Sequence, residues 1–111
     1  MIKIESVDFG EIKIDGKTYY SDLIIWWDGK IEFKEKFHIF DHNLFFEIAK
    51  RVPEIIVIGD GVMDKVKIDE DVWDLAERKN IELFVERSKK AAEMFNGFIS
   101  DKRKAVIIIH C

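Results

Sequence analysis

Cysteine, proline, glutamine and long apolar runs are all scarce or absent in this 111-residue chain. Cys111 is the only cysteine, so no disulfide can form within the chain, which is typical of proteins from reducing compartments. No apolar run approaches the roughly 20 residues that a membrane-spanning helix needs. Charges at Lys3 and Glu5 interrupt the layout of a signal peptide. These absences predict a cytoplasmic protein with no membrane partner.

The chain also lacks an excess of positive charge. It has 18 Lys and Arg against 22 Asp and Glu, a net charge of −4. Nucleic-acid binding requires a clustered basic face, and the basic runs at 89–90 and 102–104 have acidic neighbours. We therefore expect no nucleic-acid partner. The missing glutamine, together with abundant Lys and Glu, is typical of proteins from hot-living organisms.

Hydrophobic residues make up 48% of the chain and charged residues 36%. Disordered and collagen-like chains have much lower apolar content, so this composition excludes them. A chain of this length is one domain's worth of sequence and can bury a sizeable core without disulfides. We predict one α/β domain spanning residues 1–111.

The first third of the chain has the pattern of antiparallel strands. Asp15-Gly16 and Asp28-Gly29 are favoured two-residue hairpin turns, because both positions of such a turn take positive φ. They predict a three-stranded antiparallel meander with strands at residues 11–14, 17–27 and 30–36. An earlier strand is expected near Ile4, with a break or bulge at Phe9-Gly10. The run 23–27 lacks alternation, so both faces of that strand should be covered by a larger sheet.

The remainder alternates between helical and strand patterns. Helices are predicted after the N-cap residues Asp41, Asp69 and Ser88. Buried strands are predicted at residues 54–58, 81–85 and 105–109. Short helices between buried strands indicate right-handed crossovers and a parallel sheet. The predicted fold is thus a mixed sheet with a parallel second half, an N-terminal antiparallel meander, and helices packed on it.

Parallel strands place their carboxyl ends at one edge of the sheet, where open α/β sheets bind ligands. The segments Gly59-Asp60-Gly61, Arg87-Ser88 and His110-Cys111 follow the three strands. They are the candidate ligand-binding residues of a small polar site. The glycine loop is typical of a tight turn, with a backbone anion cradle as the alternative. Ser88 is read as a helix cap, with anion binding beside Arg87 as the alternative.

The remaining candidate residues give weaker evidence of a catalytic, metal or binding site. His110 and Cys111 could act as base and nucleophile, but neighbours in a strand point to opposite faces, and a core cysteine is the simpler interpretation. His38 and His42 have helical metal-ligand spacing but no third ligand, so no metal or cofactor is expected. Four aromatic residues lie close together in the predicted strands, namely Tyr19, Tyr20, Trp26 and Trp27. We expect them to pack inside the protein or, if exposed, to bind a protein partner.

The chain resembles a small Mth-type domain family of unknown function, which includes an adipogenesis-associated domain protein and a mitochondrial complex I assembly factor. The residues that carry this resemblance are Phe9-Gly10-Glu11-Ile12, Ile14-Asp15-Gly16-Lys17, Tyr19, Asp22, Pro53-Glu54, Val57-Ile58-Gly59-Asp60-Gly61, the segment 88–96 and His110-Cys111. It implies a three-layer α/β fold with a mixed central sheet and an assembly or regulatory role, and it implies no catalytic residue.

Two functions are consistent with these patterns. The first is a non-catalytic binding or assembly domain with no catalytic residue. It would use the edge near Asp60, Arg87 and Ser88, or the Trp26-Trp27 region, and its partner would be a protein or a small anion. The second is a small enzyme that uses Cys111 or His110 on a small polar substrate. The sequence does not predict the oligomeric state.

Overall fold

The computed structural model describes residues 1–61 and 66–111, and these form ten strands and three helices. The strands are β1 (Ile4–Asp8), β2 (Glu11–Ile14), β3 (Lys17–Tyr19), β4 (Asp22–Trp26), β5 (Ile31–Lys34), β6 (Ile39–Phe40), β7 (Ile55–Gly59), β8 (Lys67–Ile68), β9 (Glu82–Glu86) and β10 (Ala105–Ile109). The helices are α1 (His42–Ala49), α2 (Glu70–Arg78) and α3 (Ser88–Ser100). The three late strands lie within one residue of their predicted positions.

A mixed five-stranded sheet forms the centre of the molecule, in the order β5-β4-β10-β7-β9. β10 pairs parallel with β7, and β7 pairs parallel with β9. β10 pairs antiparallel with β4, which pairs antiparallel with β5. The predicted mixed sheet with a parallel second half is therefore confirmed.

Both faces of this sheet are covered, which explains the uninterrupted apolar runs. Alternate residues of β10 enter different cores: Ile107 packs with α3 and the N-terminal strands, whereas Ile108 packs with α1 and α2. The molecule therefore has three layers, with α1 and α2 on one face and α3 with a second sheet on the other. No helix in the described residues is long and apolar enough to cross a membrane.

The N-terminal antiparallel meander is confirmed, but its strands differ from those predicted. It consists of β1, β2 and β3 as a separate three-stranded sheet. The predicted strand 17–27 is two strands, because the chain leaves the meander after Tyr19 and enters the central sheet at Asp22. Hydrophobic patterning alone does not locate this change of sheet, since both halves have strand-forming residues.

The hairpin turns are confirmed at one position and corrected at another. Asp15 and Gly16 have φ of 48° and 83°, as a two-residue turn requires. At Asp28-Gly29 only Gly29 has positive φ, and the connection between β4 and β5 is longer than two residues. Phe9-Gly10 is the turn between β1 and β2, so it is the predicted break of the strand and not a bulge.

The helix caps also differ in their details. The side chain of Asp41 accepts a hydrogen bond from the Leu44 amide, so it caps α1 as predicted. Asp69 stands at the N-cap of α2 but its side chain makes no capping bond. Asn80 follows that helix with φ of 58°, a left-handed conformation that is common where helices end.

Candidate functional site

The carboxyl ends of β10, β7 and β9 lie side by side, as the parallel arrangement predicts. Gly59 is the register partner of Ile109 on one side and of Glu86 on the other. The segments that follow these residues therefore meet at one edge of the sheet. The structure thus brings together the three predicted segments, which are far apart in sequence.

Ser88 joins these segments through its hydroxyl group. Its Oγ accepts a hydrogen bond from the Gly61 amide at 2.8 Å and donates one to the His110 carbonyl at 2.6 Å. The side chain is fully buried. The expectation that Ser88 caps α3 is wrong, because Ser88 is the first helical residue and Arg87 occupies the N-cap. The hydroxyl is used by neighbouring segments and not by its own helix.

The loop after β7 uses its backbone donors within the protein. The Asp60 amide donates to the Glu86 carbonyl at 2.9 Å, and the Gly61 amide donates to Ser88. Gly61 has φ of 110°, which favours glycine. An anion cradle requires free amides directed at the ligand, and these two amides already have acceptors. The loop therefore has the geometry of a tight turn.

Asp60 and Arg87 form an ion pair at this edge, with 3.6 Å between Arg87 Nη1 and Asp60 Oδ1. The Asp60 side chain is 14% exposed and the Arg87 side chain 48%. Since the guanidinium faces a carboxylate of the same protein, little positive charge is left to attract an anion here.

His110 and Cys111 meet at a residue that sequence reasoning did not select as a site residue, Asp22. His110 Nδ1 lies 2.8 Å from Asp22 Oδ2, and the Cys111 amide donates to Asp22 Oδ1 at 3.1 Å. The Cys111 thiol is 3.6 Å from the same oxygen. The Phe37 amide donates to Oδ2 at 3.0 Å. Asp22, His110 and Cys111 are all buried. The four contacts with donor groups compensate the Asp22 carboxylate for its loss of hydration in the protein interior.

A signal for Asp22 was present in the sequence. It stands at the start of the run 23–27, which was predicted to be covered on both faces. A charged residue at the end of such a strand requires partners, because a buried carboxylate without hydrogen bonds is very costly. Two of its partners, His110 and Cys111, follow β10 and lie 88 and 89 positions away, so the sequence did not identify them.

The arrangement does not provide an activated thiol. Burial and the neighbouring Asp22 carboxylate raise the pKa of Cys111 to about 11, and the Lys36 ammonium lowers it only in part. A nucleophilic cysteine requires a lowered pKa, usually beside a cationic group. In this site a carboxylate, and not an imidazole, is the nearest partner of the sulfur.

A pocket of about 490 Å³ opens beside this cluster. Two of its lining side chains are aromatic and largely exposed, namely Tyr20 at 73% and Phe33 at 71%. The buried residues Asp22 and Cys111 also line it. The complete lining is Gly10, Tyr20, Ser21, Asp22, Phe33, Lys34, Glu35, Lys36 and Cys111. The volume lies within the range of ligand-binding sites in proteins, roughly 300–1,000 Å³.

The Trp26-Trp27 region is mainly a packing feature. Trp26 is 3% exposed and Trp27 is partly buried. The Arg51 guanidinium lies 4.4 Å and 4.9 Å from their ring centroids and pairs with Asp28 at 2.6 Å. Cation–π contacts of this kind fix side chains in place, and the two indoles are accordingly held against the protein.

The histidine pair at positions 38 and 42 does not form a joint site. His42 Nδ1 lies 3.3 Å from Asp71 of α2, whereas the His38 ring packs edgewise against His110 at 5.4 Å. Within residues 1–61 and 66–111, no three His, Cys, Asp or Glu side chains are grouped to hold a metal ion.

Comparison with solved structures shows close likeness over nearly the whole chain. The conserved hypothetical protein PH1505 from Pyrococcus horikoshii is 26% identical, with a TM-score of 0.84 and 97% of each chain covered. The protein MT938 is 20% identical, with a TM-score of 0.76 and both chains fully covered. A Mth938-like domain from Bordetella pertussis is 14% identical at a TM-score of 0.72, covering 97% of this chain and 84% of that one.

The sequence itself matches a protein family over residues 4–110, which includes all of the site described above except Cys111. The family is described as a protein of unknown function, DUF498/DUF598. The match and the Mth938-like neighbours confirm the resemblance inferred from the short motifs. This chain belongs to the DUF498/DUF598 family.

Proposed function

We propose that this protein is a non-catalytic binding domain whose ligand occupies the pocket beside Asp22 and Cys111. The observation that carries this proposal is the pocket itself, which places two largely exposed aromatic side chains next to a buried polar cluster. Ligand sites in proteins typically combine apolar and aromatic walls with a few fixed polar groups. The proposed site lies on the same edge of the sheet as the loop after β7, but at the ends of β10 and β5.

The segments first selected from the sequence support this pocket indirectly. Ser88 holds the His110 carbonyl, and the His110 amide donates to the Gly59 carbonyl at 3.0 Å. These bonds fix the end of β10, which carries Cys111 into the pocket wall. Their polar atoms have partners within the protein, so we assign Gly59, Gly61 and Ser88 a positioning role and not direct contact with a ligand.

The alternative enzyme would use Cys111 or His110 on a small polar substrate. The raised pKa of Cys111 leaves the thiol protonated at neutral pH, which weighs against a nucleophile. His110 is 1% exposed and engaged by Asp22, so a substrate would not reach its ring without movement of the chain. The geometry therefore favours binding over catalysis.

We further propose a cytoplasmic location and an assembly role for this protein. A single cysteine and a predicted cytoplasmic location are consistent with a thiol that stays reduced. An assembly role, as the family resemblance implies, would require that ligand binding or the exposed aromatics recruit a protein partner. The composition of the chain favours a hot-living source.

The direct test is NMR of the labelled protein with a panel of small aromatic compounds, both neutral and charged. We expect the amide signals of Ser21, Phe33 and Cys111 to shift. Phe33→Ser should abolish the shifts, since it removes one aromatic wall. Phe46→Ser is the matched control, because Phe46 is also exposed (41%) but lies on α1, outside the pocket. The proposal fails if no compound shifts these signals, or if both variants retain the shifts equally.

A further inference from the structure

We infer that the pocket binds an organic anion that carries an aromatic ring, with the ring against Tyr20 and Phe33 and the anionic group near Lys34 and Lys36. This inference rests on the proposed function and specifies its ligand. The relevant chemistry is a flat apolar group joined to a carboxylate, sulfonate or phosphate.

The aromatic walls indicate the flat group. Tyr20 and Phe33 are exposed in the free protein although each could bury a large apolar area. Phe33 is also supported by the meander, because its ring centroid lies 5.9 Å from that of Tyr19. A supported ring presents its surface with little loss of side-chain freedom on binding, which favours stacking of another ring.

The charges around the pocket indicate the anionic group. Neither Lys34 nor Lys36 forms an ion pair with a carboxylate of residues 1–61 or 66–111. Glu35 also lines the pocket, so its rim carries two positive charges and one negative charge. The buried Asp22 carboxylate, which also lines the pocket, is already engaged by four donors. A cation would therefore meet the Glu35 carboxylate alone, whereas an anion would meet two ammonium groups that have no ion-pair partner among the described residues.

A hydroxyl group adds to this preference. Ser21 lines the pocket, and its Oγ is buried without a hydrogen-bond partner in the described part of the chain. An unpartnered buried hydroxyl is unusual in a folded protein. Rotation about the Cα–Cβ bond moves a serine hydroxyl between three staggered positions, and a ligand oxygen in the pocket is an acceptor that it could then reach.

The test compares two fluorescent probes of similar shape and different charge. 8-Anilinonaphthalene-1-sulfonate is an aromatic anion, and N-phenyl-1-naphthylamine is its neutral counterpart. The double variant K34Q/K36Q should weaken binding of the anionic probe at least tenfold and leave binding of the neutral probe within twofold. K67Q/K90Q is the matched control, because it removes the same charge from two exposed lysines outside the pocket and should leave both affinities within twofold.

The outcomes separate this inference from the proposal beneath it. If both probes bind, Phe33→Ser weakens both, and K34Q/K36Q changes neither affinity, the anion inference is overturned while the binding function stands. An equal loss in both double variants also overturns it, because net charge and not the pocket would then govern binding. If neither probe binds the native protein, the inference is overturned, and the NMR panel decides whether the proposed function falls with it.

Discussion

A single buried carboxylate, that of Asp22, connects three parts of the chain. It accepts hydrogen bonds from Phe37 in the loop after β5 and from the backbone of Cys111 after β10, and it faces the His110 ring. Charge-assisted bonds of this kind are stronger than neutral ones. Leaving such a group unpaired in the interior would be very costly. The pocket wall therefore depends on one side chain more than on any local sequence motif.

The raised pKa of Cys111 predicts slow alkylation of the thiol. Since burial and Asp22 raise its pKa from an ordinary 9.0 to about 11, at pH 8 the thiolate fraction should be roughly one-hundredth of that in the unfolded chain. Iodoacetamide should react correspondingly slowly with the folded protein, and the rate should rise up to about pH 11. The same chain in urea, with an ordinary thiol, is the control. A rate midpoint near 9 in the folded state would contradict this explanation.

The same shift predicts the direction of pH dependence for folding. A thiol whose pKa is higher in the folded state stabilises that state while it is protonated. Its contribution to the free energy of unfolding is complete below about pH 9 and is lost as the pH rises through 11. Urea unfolding of the wild type and of Cys111→Ser across this range measures the effect. A decline of the same size in the serine variant would assign it to other groups.

Val52 is held in a strained conformation and offers a route to greater stability. It is a β-branched residue with φ of 54° and 74% exposure, placed between α1 and Pro53. The left-handed conformation costs a residue with a Cβ about 1–2 kcal/mol, whereas glycine adopts it freely at some cost in unfolded-chain entropy. Val52→Gly should therefore raise the free energy of unfolding by about 0.5–1 kcal/mol.

The matched control for this change is Val52→Ala, which keeps a Cβ and thus retains the strain. It should give less stabilisation than glycine in the same urea titration, with an unchanged dependence on denaturant. Equal midpoints for the two variants would show that the conformation at Val52 is not strained.

β10 determines the layout of the whole sheet. It pairs parallel with β7 and antiparallel with β4, and all five of its residues are buried. Because side chains alternate between the faces of a strand, it supplies both hydrophobic cores from five consecutive apolar residues. Its end also carries His110 and Cys111, so the central strand places the candidate site.

The close approach of β7 to α3 predicts opposite effects of alanine at two glycines. A Cβ on Gly59 would lie 3.0 Å from Ser88 Oγ and 3.2 Å from Ser88 Cα. Gly59→Ala should therefore destabilise the protein by about 1–3 kcal/mol through overpacking. A Cβ on Gly97, within α3, would meet nothing within 4 Å, so Gly97→Ala should stabilise by about 0.5–1 kcal/mol through helix propensity.

Thermal and urea unfolding of the two variants measure this contrast. They make the same chemical change, so the difference in sign isolates the tertiary contact. Stabilisation by Gly59→Ala would show that β7 and the first turn of α3 can separate without cost.

The N-terminal meander is joined to the rest of the molecule across α3. Besides apolar packing, the Asn96 side chain accepts a hydrogen bond from the Ile4 amide at 2.9 Å and donates one to the Ile4 carbonyl at 2.8 Å. An amide side chain thus takes the place of a neighbouring strand beside β1. The second sheet is thereby held over one face of the central sheet, next to the pocket wall at Gly10.

Asn96→Ala should loosen the meander more than the central sheet. Two lost hydrogen bonds predict a loss of about 1–3 kcal/mol in the free energy of unfolding, and amide hydrogen exchange should accelerate chiefly in β1 and β2. Asn43→Ala is the control, since Asn43 is exposed on α1. Uniform acceleration across β1, β7 and β10 would indicate instead that both sheets unfold as one unit.

The sequence by itself determined the three helices and the three late strands, and that those late strands run parallel. Those features depend on local spacing, such as the apolar runs 54–58 and 105–109, on punctuating residues such as Asp41 and Pro53, and on the short helices between strands. The convergence of Gly59, Ser88 and His110 at one edge followed from the parallel topology alone. Only the tertiary structure decided that 17–27 divides between two sheets, because both halves have the same strand-forming pattern.

The tertiary structure also decided the chemistry of the site. Ser88 looked like a helix cap because serine before a helix usually caps it, yet its hydroxyl bonds to Gly61 and His110. Asp22 lay within the predicted strand 17–27, and no role was assigned to it until the end of β10 placed His110 and Cys111 against it. Sequence patterns report local periodicity, whereas a buried polar group is satisfied by partners at any distance along the chain, so its role is settled only when those partners meet.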